Sequence, residues 1–200
     1  MTTDSGGTAQ PAGHLLLERH GGPGTETITL DLPGGPPGPV IVEAEQPADA
    51  HLSVTAKSGF QVMADPLLDS YAQGSAGRAW TFLREGRPTK LRIKAEGAWT
   101  VRVRSIDAAR SFDSGAAGRG PEVVAYRGGA TDAVIVHREE KDELGIGGSL
   151  FLWSLPAGAG AQKKDERLVT AGDDVHETVR LPGPCLLFLQ TDFDWSITVA

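Results

Sequence analysis

The sequence predicts an all-β protein built as two tandem antiparallel β-sandwich domains, jelly-roll-like and related by an internal repeat. Three observations predict it. Short apolar runs alternate with polar residues along most of the chain, the period of two that a half-covered strand requires. The 26 glycines and 13 prolines exceed the roughly 12 % of ordinary usage and sit between those runs, where turns belong. The third observation is recurrence. Val40-Ile41-Val42 and Val134-Ile135-Val136 lie 94 residues apart, and Trp99 and Trp195, each opening a closing strand, lie 96 apart. That spacing is too long for a solenoid repeat and suits two small domains.

Residues 1–13 lack the large apolar side chains that offset ordering entropy and are expected to be a disordered tail. The first domain is expected over 14–104. Its strands fall at His14–Glu18, Glu26–Leu32, Val40–Glu45, His51–Ala56, Phe60–Met63, Ala79–Arg84, Thr89–Ala95 and Trp99–Arg104. Alternation is plainest in Leu91-Arg92-Ile93-Lys94 and Trp99-Thr100-Val101-Arg102-Val103. The one segment with helical character is Asp65–Gln73, confined to a turn or two by Pro66 and Gly74.

Residues 105–120, rich in glycine, alanine and serine, read as a flexible linker. The second domain is expected over 121–200, with strands at Glu122–Arg127, Ala133–Arg138, Ser149–Leu155, Arg167–Thr170, Val175–Leu181, Pro184–Gln190 and Trp195–Val199. A smaller unit, an alternating strand, a Gly/Pro turn and an apolar strand, occurs at 26–42 and again at 177–187. Its turns are expected to let consecutive strands pair antiparallel. It falls early in one half and late in the other, so the strand order is not fixed to match between halves.

Two strands of the second half depart from alternation. Leu150-Phe151-Leu152-Trp153 and Leu186-Leu187-Phe188-Leu189 are apolar on both faces, the pattern of strands covered on both sides. They point to an interface, with the first half or with a partner chain. Phe151, Trp153 and Leu187 are its candidate residues.

Composition narrows the partners. A formal charge of −7 with scattered Lys and Arg argues against nucleic acid, where clustered cations supply most of the affinity. It also disfavours electrostatic attachment to a membrane. No run approaches the 18 apolar residues of a membrane span. The first residues have neither the basic start nor the apolar core of a secretory signal. The single cysteine, Cys185, lies in an apolar run and reads as a buried small hydrophobe. A cytoplasmic location is the expectation.

The alternating strands, the Gly/Pro turns and the closing segments Gly97-Ala98-Trp99-Thr100-Val101-Arg102-Val103 and Asp194-Trp195-Ser196-Ile197-Thr198-Val199 resemble bacterial β-sandwich modules of the pre-peptidase C-terminal type, in two copies. The resemblance implies an accessory role: such modules bind sugars, ions, proteins or surfaces and are mostly secreted.

Trp99 and Trp195 begin strands whose alternate residues are apolar, so both are expected to plug cores rather than stack on sugars. Trp80, alternating with Phe82, is expected inside as well, and Trp153 is the better candidate for an interface. Asp173, Asp174, Asp192 and Asp194 flank turns, where calcium would need several oxygen donors gathered together. The common spacing reads more simply as solvated turn acids. The five histidines show no zinc spacing, Ser149 lacks a G-x-S-x-G context, and Gly145-Ile146-Gly147-Gly148 has no following Lys. No catalytic residue and no cofactor is expected. The reading is a non-enzymatic binding or scaffold protein acting through protein–protein interaction or self-association. A carbohydrate- or calcium-binding accessory module is the alternative, and an enzyme with a distributed site the third.

Overall fold

The computed structural model describes residues 13–30, 37–47, 50–58, 67–70, 76–84, 88–138, 149–157, 165–172 and 174–200. The first sandwich comprises β1 (Leu15–Gly21), β2 (Gly24–Leu30), β3 (Gly38–Glu45), β4 (Leu52–Ser58), β5 (Leu68–Ser70), β6 (Ala76–Leu83), β7 (Thr89–Ala95) and β8 (Trp99–Ser105). They form two four-stranded antiparallel sheets, ordered β1-β8-β3-β6 and β2-β7-β4-β5.

The second sandwich comprises β9 (Arg110–Phe112), β10 (Gly115–Arg119), β11 (Glu122–Tyr126), β12 (Thr131–Arg138), β13 (Leu150–Pro156), β14 (Glu166–Ala171), β15 (Val175–Leu181), β16 (Cys185–Gln190) and β17 (Asp194–Val199). Its sheets are ordered β10-β17-β12-β15 and β14-β13-β16-β11-β9. Apart from the extra edge strand β9, each strand occupies the place of the strand nine earlier. Both halves are jelly rolls of the same topology, and the all-β tandem sandwich is the architecture of this chain. Strand order does match between the halves, with β3 and β12, and β8 and β17, as the equivalents that the valine runs and tryptophans mark.

The smaller unit has a different meaning from the one expected. Residues 26–42 span β2 and β3, whereas 177–187 span β15 and β16, which are not equivalent strands. Nor do these turns make hairpins: β2 pairs with β7, and β3 with β6 and β8. β2 and β3 lie in facing sheets, as do β15 and β16, so in both places the chain passes from one sheet to the other. Consecutive strands that do pair directly are β4 with β5 and β13 with β14.

Two other expectations are corrected. Residues 105–120 are not a flexible linker. A 3₁₀ turn over Ile106–Ala108 leads into β9 and β10. β9 pairs in parallel with β11, and Ala108 and Ala109 are buried. Small residues that read as flexible by composition here permit close packing, and backbone pairing orders them. In Asp65–Gln73 the described part is β5, a strand, because its Leu68 completes the first core while Asp69 faces outward. The expected strand at Phe60–Met63 and the Gly145–Gly148 cluster lie outside the described residues, as does all but the last residue of the expected tail.

Alternation sets the cores. On β7 every second residue is buried, from Thr89 through Leu91 and Ile93 to Ala95. Trp99 and Trp195 are each 3 % exposed and plug their sandwiches as expected. The covering of β13 and β16 is the less obvious feature. Leu150, Leu152, Leu187 and Leu189 face inward to the second core. On the outer face, Leu155 and Phe188, with Val123 and Ala125 of β11, join the core of the first sandwich, and Trp153 and Leu186 pack against it. The receiving surface is the outer face of β1-β8-β3-β6, where Ile41 is fully buried and Trp80 meets Phe188 at a ring-centroid distance of 5.8 Å. The four sheets therefore stack in order, and the two inner ones form the junction. Burial of these large apolar side chains contributes about 1.5–3 kcal/mol each.

Candidate functional site

The face of β1-β8-β3-β6 is divided. Toward β6 it is apolar and covered by the second sandwich. Further along the same strands it is ionic and open, because outward positions of β3 and β8 change from Ile41 to Glu43, Glu45, Arg102 and Arg104. Register sets Glu18, Arg102, Glu43 and Arg78 side by side across the four strands. The result is a row of alternating charge that Glu122 of β11 extends onto the second sandwich.

Geometry knits this row together. Arg102 Nε donates to Glu18 at 2.9 Å and its Nη1 to Glu45 at 2.9 Å. Arg104 Nε donates to Glu43 at 2.7 Å, and Arg78 pairs with the same carboxylate. Arg78 also reaches Glu122 at 3.6 Å, while its backbone N–H donates to the Pro121 carbonyl at 2.9 Å. Arg78 thus joins the sandwiches through both main chain and side chain. Gly77 keeps the approach close: a Cβ there would stand 3.2 Å from Pro121 Cγ.

Along this row lies an open cleft of about 590 Å³, lined by Glu43, Glu45, Arg78, Arg102, Arg104, Arg119 and Glu122 above small residues including Ala76 and Gly77. Burial raises the Glu122 carboxyl above its ordinary range, against the opposing pull of Arg78 and of the Val123 N–H. Burial pulls the Arg102 guanidinium down, but its hydrogen bonds to Glu18 and Glu45 outweigh that and lift it.

The residues singled out from sequence fall elsewhere. Trp153 lies at the junction, half-buried, with the Arg167 guanidinium 5.5 Å from its ring centroid. Phe151 is half-buried on the same outward face of β13. Leu187 is not an interface residue: it is fully buried in the second core, because odd-numbered positions of β16 face inward. Trp80 is buried at the junction and offers no open ring face. Asp174, Asp192 and Asp194 come to one end of the second sandwich, where Arg138 stands opposite Asp194 in the register and Arg119 pairs with Asp194 at 3.5 Å. Asp173 lies outside the described residues. Among the described residues no three His, Cys, Asp or Glu side chains come together to hold a metal.

Sequence reading missed the ionic row. Its signal was present, as Glu43-x-Glu45 and Arg102-x-Arg104 at outward positions of strands already recognised. Which strands are neighbours was not.

No family model matches the chain, and no curated protein matches it. Among solved structures it is similar to the N-terminal CBM22-1-CBM22-2 tandem domain from Paenibacillus barcinonensis Xyn10C. The identity is 9 % over 96 % of this chain and 98 % of that one, with a TM-score of 0.30. Among the described residues no helix is long and apolar enough to cross a membrane.

Proposed function

We propose that this chain is a non-enzymatic binding protein whose junction cleft takes a hydroxyl-rich ligand of the saccharide class. The cleft carries the reading. Its guanidinium–carboxylate pairs fix one another's orientation and set donors beside acceptors along one wall. A vicinal pair of sugar hydroxyls both donates and accepts, so one ligand bridges such a pair without leaving either charge unsatisfied. The volume falls in the ordinary range of ligand sites.

The protein-partner reading drew on the doubly apolar strands β13 and β16. Much of that apolar face is covered by the first sandwich, which shifts the weight toward ligand binding at the ionic surface beside it. Calcium binding has no three-donor group to support it among the described residues.

Calorimetric titration with neutral oligosaccharides tests the proposal. Binding by one of a panel of xylo-, gluco- and manno-oligosaccharides, weakened about tenfold or more in Arg102→Ala and Glu45→Gln as expected for lost charge-assisted hydrogen bonds, supports it. No binding across the panel, or binding indifferent to both substitutions, overturns it.

A further inference from the structure

The outer face of β2-β7-β4-β5, on the far side of the first sandwich from the junction, carries a different chemistry. Alternation on the central strand β7 turns Lys90, Arg92 and Lys94 outward, all exposed. Register places Lys57 of β4 directly beside Lys90. Hydroxyls flank the cations on both sides: Thr25, Thr27 and Thr29 on β2, Ser53 and Thr55 on β4. Two described carboxylates border this face at one end and both engage His51: Asp69, opposite Ser53 in the register, is hydrogen-bonded to His51 Nε2 at 2.6 Å, and Glu96, just beyond β7, accepts the His51 backbone N–H at 3.1 Å. None of the four cations forms an ion pair among the described residues. The cations of the junction, by contrast, are all matched.

An unmatched basic stripe on a chain of net charge −7 is costly to keep. Like charges directly opposite in a sheet, such as Lys57 and Lys90, destabilise the pairing, and solubility is already served by the acidic balance. The duplication supplies a second argument. In the second sandwich the strand equivalent to β7 is β16, whose outward residues Leu186 and Phe188 dock on the first sandwich. The same face of the same fold is therefore a docking face in one copy, and in the other its apolar side chains are replaced by cations.

We propose that this face binds a linear polyanionic polysaccharide, its carboxylates meeting Lys57, Lys90, Arg92 and Lys94 and its hydroxyls meeting the threonine rows. Alternate residues of β7 are about 6.8 Å apart and neighbouring strands about 4.8 Å, so cations and hydroxyls form a regular array along an extended chain. No aromatic side chain lies on β2, β4 or β7, so these strands offer no platform for the base stacking that single-stranded nucleic acid uses. The broad face of a four-stranded sheet presents no helix or two-stranded ribbon to enter a duplex groove. Among the described residues the outward positions of β2, β4 and β7 carry no apolar side chain to insert into a lipid surface. The site is separate from the junction cleft and does not rest on the reading of that cleft.

The test uses the full chain with polygalacturonate as probe, against neutral dextran, duplex DNA, oligothymidylate and phosphatidylserine vesicles. The expected result is retention on polygalacturonate at low ionic strength, lost progressively as salt rises toward about 0.15 M, with none of the comparison ligands bound as tightly. Lys90→Gln/Arg92→Gln/Lys94→Gln should bind roughly a hundredfold more weakly, since each cation near an anionic surface contributes about a fivefold factor. These positions are exposed, so an unchanged melting temperature checks that the variant folds, and the single variant Arg92→Gln serves if the triple does not. Arg102→Ala in the cleft should leave polygalacturonate binding unchanged. Failure to bind polygalacturonate at low salt, unaltered binding by the variants, or tighter binding of DNA or vesicles overturns the proposal.

Discussion

Trp195 Nε1 donates a hydrogen bond to the carbonyl of Gly120 at 3.0 Å, and the turn it secures, Gly120–Pro121, is one of the pieces of the second sandwich that meet β6 of the first. Gly120 takes a φ of +77°, a conformation that favours glycine. Its neighbour Pro121 accepts the Arg78 N–H. The core plug of one domain therefore also positions its contact with the other. In the first sandwich Trp99 Nε1 donates to Gly22 at 3.0 Å in the same way, but there the Gly22–Pro23 turn is exposed.

A side chain at the glycine beneath either indole should be poorly tolerated. A Cβ on Gly118 would lie 2.6 Å from Trp195 Cζ2, and one on Gly21 would overlap the Trp99 ring. Gly118→Ala and Gly21→Ala should each cost about 1–3 kcal/mol by overpacking, read as a lower urea midpoint with unchanged slope. Midpoints equal to wild type would remove the indole–glycine contact from the account.

The junction should make the sandwiches interdependent. A fragment of residues 109–200, which keeps β9 and β10 with their sandwich, leaves Val123, Ala125, Leu155, Leu186 and Phe188 without their cover, a contiguous apolar face of the kind that drives association. It is expected to aggregate or self-associate in light scattering. In the full chain Phe188→Ala should cost about 3–5 kcal/mol. A monodisperse, soluble fragment would mean that the junction contributes little.

Glu122 gives a pH signature of definite sign. Its carboxyl is raised above the ordinary range by burial, so the folded state holds this proton more tightly than the unfolded one. Its contribution to stability is fully present below the unfolded value of about 4.3 and is lost as pH rises through the folded value. Glu122→Gln, which cannot ionise, should therefore gain in melting temperature relative to wild type as pH climbs from about 4 toward neutrality. A constant or shrinking difference would contradict the assignment.

Cys185 should be inert in the native protein. Burial pushes its thiol up to about 11, and only 2 % of the residue is exposed, whereas the thiolate is the reactive form. At mildly alkaline pH a thiol reagent should titrate it only on unfolding, giving a rate that tracks denaturant. Rapid stoichiometric labelling of the native chain would show that it is accessible.

Much of the fold was legible in sequence because its determinants are local. Alternation such as Leu91-Arg92-Ile93-Lys94 declares a strand and assigns its faces without knowledge of any neighbour. Trp99 and Trp195 mark equivalent positions because each closing strand must plug the same kind of core. The two-sided apolar character of β13 and β16 correctly declared a second cover. Leu187 was misassigned because, in a run apolar on both faces, composition cannot say which residues face the domain's own core. Residues 105–120 were misread for a similar reason: glycine and alanine suit a flexible connector and a tightly packed one equally.

The sequence by itself determined strands, faces, turns and duplication, all properties carried by side chains two residues apart along one chain. Only the tertiary structure decided what covers β13 and β16, and that Arg78, Arg102, Glu43 and Glu122 form one ionic row. It also decided that Lys57 joins Lys90, Arg92 and Lys94 on a single open face. Those relationships depend on which strands lie side by side, and in a jelly roll most neighbours are distant in sequence, so no local pattern encodes them.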